Sequence, residues 1–109
     1  MAQVAFGMFD WIDRRQVPLH QLYEDRLALL EAADAAGFFC YHLAEHHGSD
    51  LCMVPNQELF LAAAAQVTSS IRLGPMVKLL PLHHPVRIIE DMYVLDQLSG
   101  GRLDRKSVV

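Results

Sequence analysis

Phe38-Phe39-Cys40-Tyr41-His42-Leu43-Ala44-Glu45-His46-His47 is the stretch on which the fold turns. Its first part, Phe38 to Leu43, is aromatic and apolar, as expected of a short buried strand. Gly37 precedes it and supplies the left-handed position that commonly ends a helix. The second part is ionisable and closes on two adjacent histidines. In a parallel sheet such a polar tail lies in the loop beyond the carboxyl end of its strand, where these folds place their chemistry.

Working outward, the same alternation recurs on both sides. Gln3 to Phe9 reads as a strand, and Asp10, Asp13 and Pro18 mark the loop after it. A helix is expected from Leu19 to Ala36, because Leu19, Tyr23, Leu27 and Leu30 recur at helical spacing, flanked by Leu22, Leu29 and Ala33. Beyond the loop Glu45 to Pro55, Asn56 is a helix N-cap and Glu58 favours the helix dipole. The helix to Val67 is apolar all round, a pattern that predicts packing on two sides. Thr68 to Ser70 is a turn. Ile71 to Leu80 reads as a third strand, interrupted at Gly74-Pro75, with the loop Pro81 to His84 after it. A last helix starts at Pro85, shows Ile88, Ile89, Met92, Tyr93 and Leu95, and ends at Gly100-Gly101. Arg102 to Asp104 begins a fourth strand. Strand and helix repeated three times define an α/β chain with a parallel sheet.

Composition narrows the function. The chain has 109 residues and a net charge of -4, which argues against a nucleic-acid partner, since those sites are basic. The length falls short of the roughly 250 residues of a complete (β/α)₈ barrel. No apolar run reaches the roughly 18 residues of a membrane span, and no signal peptide is read. Two cysteines, Cys40 and Cys52, fit neither a disulfide framework nor a CxxC site, so a reduced, cytoplasmic setting is expected.

The histidine pairs His46-His47 and His83-His84 fall in two of the expected strand-end loops. Histidine exchanges a proton near neutrality, and Glu45 is placed to orient one imidazole. Adjacent loop side chains diverge, so one histidine of the first pair faces a ligand. His42-Leu43-Ala44-Glu45-His46 also fits the HxxEH pattern of zinc hydrolases. That site needs a helix, however, and on a strand His42 and His46 lie roughly 13 Å apart. In the second pair His84 is expected to cap the last helix and His83 to be exposed.

Taken in order, Ala44-Glu45-His46-His47, Ile71-Arg72-Leu73-Gly74, Leu80-Pro81-Leu82-His83-His84-Pro85-Val86-Arg87, Glu90 and Leu95-Asp96-Gln97-Leu98-Ser99-Gly100-Gly101-Arg102-Leu103 resemble the bacterial luciferase-like, flavin-dependent monooxygenases. The resemblance implies the N-terminal part of a TIM barrel, about three βα units over residues 1–104, with 105–109 a tail outside the family pattern. It implies reduced FMN, supplied by a separate flavin reductase, acting with O2 on a small organic substrate. His46 matches the catalytic histidine. Met76 and Val77 match the segment whose backbone lies against the flavin ring, where some members carry a non-proline cis peptide. Glu45 joins them as cofactor-binding, and no metal ligand is assigned. A homodimer through helices 56–67 and 85–98 is implied, with Ala65 as one outward position. Gly48 departs from the family, which often has an aromatic residue there. The chain also reads as a truncated, inactive product that binds FMN poorly. The alternatives are the deazaflavin F420 as hydride carrier, the HxxEH zinc hydrolase, and a non-catalytic partial barrel.

Overall fold

The computed structural model describes residues 2–104; the expected tail, 105–109, lies outside them. Three strands, β1 (Gly7–Asp10), β2 (Cys40–Leu43) and β3 (Arg72–Pro75), form a parallel sheet in the order β1-β2-β3. The register sets Phe9 beside His42 and His42 beside Gly74. Leu103 makes a parallel bridge to Leu73, so the fourth strand begins against β3 as expected. Helices α1 (Leu19–Ala35), α2 (Gln57–Val67) and α3 (Pro85–Leu98) follow the three strands.

Alternation along the strands separates two faces. Tyr41, Leu43, Leu73 and Leu103 are buried with Leu22, Leu30 and Ala33 of α1, Phe60, Leu61, Ala64 and Ala65 of α2, and Leu95 of α3. Cys40, His42 and Arg72 fall on the other face, with half-exposed Phe9. In a closed barrel that second face is the interior.

The helix ends follow local chemistry. After α1, Gly37 has φ +87°; its N–H donates to Asp34 O (3.1 Å), and Phe38 N–H to Ala33 O (3.0 Å). After α3, Gly100 has φ +67°, with bonds from Gly100 to Gln97 O and from Gly101 to Asp96 O. Both are Schellman caps, which need a left-handed residue that glycine adopts without a Cβ clash. Asn56 caps α2 by accepting from Leu59 N–H, and His84 caps α3 by accepting from Val86 N–H.

Several expectations are corrected. β1 starts at Gly7 and β2 at Cys40, because the parallel register pairs them only from there. β3 ends at Pro75 rather than Leu80: Lys78 turns into the interior, Leu79 N–H bonds a side chain, and Leu80–Leu82 is a turn of 3₁₀ helix. Helix α2 packs against β3 and, on its flanks, against α1 and α3; Ala65, expected to face outward, points inward, while Leu59 is 71% exposed. On α3, Ile88 and Leu95 face the core but Ile89 and Tyr93 face outward.

Candidate active site at the carboxyl end of the sheet

The loops after the three strands meet at one end of the sheet. After β1, the Asp10 carboxylate accepts from the Tyr41 hydroxyl (2.7 Å) and from the N–H groups of Trp11 (2.8 Å) and Ile12 (3.1 Å). Arg26 of α1 pairs with it at 3.2 Å. Burial, and then the Asp10 charge, push the Tyr41 hydroxyl up, so it stays a donor. One carboxylate thereby fixes the backbone that carries Trp11.

The Trp11 ring stacks on His46, with centroids 4.8 Å apart and planes inclined by 24°. Among the described residues neither ring nitrogen of His46 has a hydrogen-bond partner. The ring borders an open cleft of about 340 Å³ that Arg14, Ser49, Asp50 and Met53 also line. His47 diverges, as adjacent loop residues do. Its Nε2 lies 2.7 Å from Glu45 Oε1.

Glu45 is the hub of the site, and its side chain is wholly buried. Its Oε1 also meets His83 Nε2 at 2.6 Å, and its Oε2 accepts from Leu79 N–H at 3.0 Å. Lys78 Nζ stands 3.9 Å from that second oxygen and 2.7 Å from Glu58 Oε2. Burial works to raise the Glu45 carboxyl. The Leu79 amide, the two imidazoles and Lys78 outweigh it and hold the group below the usual carboxylate range. Glu45 was expected to orient one imidazole; it holds two, and neither belongs to His46. His83 is half-buried against Glu45, which corrects its reading as an exposed loop residue.

Met76 and Val77 are 39% and 45% exposed at the end of β3, and the peptide bond between them is cis. The buried Gln57 amide donates to Leu43 O (2.6 Å) and Val77 O (3.4 Å), so α2 ties the ends of β2 and β3 together. His46, Met76, Val77 and Glu45 therefore lie at the same end of the sheet. Half-exposed apolar side chains such as Met76 and Val77 suit contact with a flat ring such as flavin.

The HxxEH residues are dispersed. His42 Nε2 pairs with Asp104 (3.0 Å) on the open sheet face, Glu45 holds His47 and His83, and His46 stacks on Trp11. They lie on a strand and a loop, not on one helical face, so the zinc-hydrolase alternative falls. Sequence reasoning missed Trp11, Gln57, Glu58 and Lys78. Glu58 had been read as a helix-dipole charge, and the charge of Lys78 inside an apolar run was the available signal.

The luciferase-like monooxygenase family profile matches residues 4–105. Limonene 1,2-monooxygenase of Rhodococcus erythropolis is 44% identical over 103 residues, covering 93% of this chain and 26% of that protein. The oxygenating constituent of 3,6-diketocamphane monooxygenase from Pseudomonas putida, solved in complex with FMN, superposes with a TM-score of 0.86 at 28% identity. It covers 93% of this chain and 28% of that one. A coenzyme F420-dependent tetrahydromethanopterin reductase from Methanopyrus kandleri superposes less closely, with a TM-score of 0.72 at 26% identity over 94% of this chain and 26% of its own. The chain thus spans between a fifth and a third of the length of the proteins it matches. Among the described residues no helix is long and apolar enough to cross a membrane. The chain belongs to the luciferase-like monooxygenase family, and its strands and helices form an N-terminal portion of that family's barrel.

Proposed function

We propose that this chain contributes the proton-handling part of a flavin-dependent monooxygenase site. The carrying observation is His46: a ring positioned by Trp11, open to a cleft, with both nitrogens free among the described residues. When bound, reduced FMN would supply the electrons that let O2 oxidise a small organic substrate. Met76 and Val77 would lie against its ring, and Glu45 would support that wall through Leu79 and His83. His46 would hold or take a proton at its free nitrogen, next to the reacting atoms. His47 is tied to Glu45 and is the poorer candidate. FMN is preferred to F420 because the closer structural relative is an FMN complex. That relative is an oxygenating constituent, which supports a separate reductase as partner.

The exposed Leu59, Ile89 and Tyr93 on α2 and α3 support the homodimer through helices 56–67 and 85–98. A cytoplasmic setting remains part of this reading.

The test is turnover with reduced FMN and O2 in a complete barrel that begins with this chain. General acid–base help is worth about 10²–10⁴-fold. His46→Ala should cost that much product while keeping FMN affinity, and His47→Ala should cost less. Equal, near-normal turnover by both variants would sink the assignment.

A further inference from the structure

We infer that Glu45, His47 and His83 form a three-ligand site for a divalent transition-metal cation of the Zn²⁺ class. This goes beyond the flavin reading and does not depend on it. The two Nε2 atoms converge on one oxygen, Glu45 Oε1, at 2.7 and 2.6 Å, and the three donor atoms all lie within 4.8 Å of one another. Two imidazoles and one carboxylate are a recurrent catalytic zinc set, with bonds of about 2.0–2.2 Å. Tetrahedral donors at that range stand about 3.3 Å apart. Reaching that spacing opens the present contacts by about 0.6–0.7 Å, which lies within reach of side-chain torsion, above all for His47, whose side chain is 41% exposed.

The carboxylate is already aimed. Leu79 N–H holds Oε2, which leaves Oε1 toward the imidazoles. Such outer partners orient metal ligands in known sites. Charge points the same way. Glu45, Glu58 and Lys78 are all buried, so two carboxylates share one ammonium. Lys78 lies closer to Glu58, which leaves the excess negative charge at Glu45. A dication held there would take the Nε2 lone pairs, the ring protons passing to Nδ1, and would more than offset that charge. Three protein ligands leave a further position open, on the side where His47 meets solvent.

A second cluster, Cys40, His42 and Asp104, is a poorer host. There His42 divides its nitrogens, Nδ1 3.9 Å from the sulfur and Nε2 3.0 Å from the carboxylate, whereas Glu45 Oε1 draws both imidazoles to one point.

The probe is Co²⁺, titrated without flavin into the chain and followed by its visible absorption. Intense bands of a low-coordinate Co²⁺ should saturate at one ion per chain and vanish as Zn²⁺ is added. His47→Gln and His83→Gln should each weaken the titration at least tenfold, and Cys40→Ser should leave it unchanged. Far-UV circular dichroism shows that each variant is folded. The exposed His47 carries the test if His83→Gln does not fold. The inference is overturned if only the pale octahedral spectrum appears, or if His47→Gln binds as tightly as the parent. A thiolate-to-cobalt charge-transfer band lost in Cys40→Ser also overturns it, by moving the ion to the other cluster.

Discussion

Replacing Arg102 by Met keeps the aliphatic stem and removes every donor of the guanidinium. Those donors make five bonds. Nε reaches Ser99 O at 2.7 Å; Nη1 reaches Thr68 Oγ1 at 2.8 Å and Ile71 O at 3.0 Å. Nη2 reaches Ala65 O at 2.8 Å and Thr68 O at 3.1 Å. Ala65 O belongs to the last turn of α2, where carbonyls have no partner within the helix. One side chain thus closes α2, holds the turn into β3 and anchors the exit from α3. At about 0.5–1.5 kcal/mol net per hydrogen bond, five bonds give about 2.5–7.5 kcal/mol. The site is only half-buried and water replaces part of the loss, so the lower end, about 3 kcal/mol, is expected. For a domain of this size each kcal/mol moves Tm by about 4–8 °C, hence a fall of about 12–24 °C. Thermal and urea unfolding of Arg102→Met beside the parent measure it. Arg102→Lys should recover less than half, since an ammonium cannot reproduce the planar fork. Arg87→Met is the control: its pair with Asp91 is 4.0 Å long and exposed, and the midpoint should not move. Equal midpoints for Arg102→Met and Arg87→Met would show that the clamp contributes nothing.

Asp34 accepts from Ser69, Ser70 and Ile71 N–H and from the Ser69 hydroxyl. Burial raises its carboxyl, but these donors prevail and lower it. A depressed folded-state value stabilises above the unfolded value of about 3.9 and is lost as pH falls through the folded value. Asp34→Ala should therefore cost stability at pH 7, and its gap from the parent should narrow on acidification below pH 4; urea midpoints that diverge there would refute the sign. Ile89→Glu charges an outward position on α3 and should shift sedimentation from dimer to monomer without changing far-UV circular dichroism. An unaltered profile would count against the α2–α3 interface.

The fold was legible where one local rule sufficed. Gly37 and Gly100 mark helix ends, Asn56 and His84 cap, and the spacing along α1 finds its buried Leu22, Leu30 and Ala33, although Leu19 and Leu29 of the expected stripe are exposed. The strand ends were less legible, because they depend on a partner's register: Gln3 to Ala5 has strand composition but lies ahead of the first inter-strand bond, Phe39 N–H to Phe6 O. In the site, the position of Glu45 and the divergence of His46 and His47 followed from strand-end logic. The contact from Glu45 to His83 spans 38 residues, and no periodicity encodes it. Arg102 read as the first residue of a strand. Its clamp exists only once α2 and α3 lie side by side.

The stack of Trp11 on His46 gives the protein a built-in optical reporter. Trp11 is the chain's one tryptophan, so the indole emission has a single source, and its nearest stacked neighbour is the candidate catalytic ring. An imidazolium quenches an adjacent indole more strongly than a neutral imidazole. Trp11 fluorescence should therefore respond to the state and placement of the His46 ring, in the unlabelled chain and in the absence of turnover. A ligand that pulls His46 off the indole would brighten the same signal. The state of this one ring can thus be read in a cuvette, separately from His47 and His83, which pair with Glu45 instead.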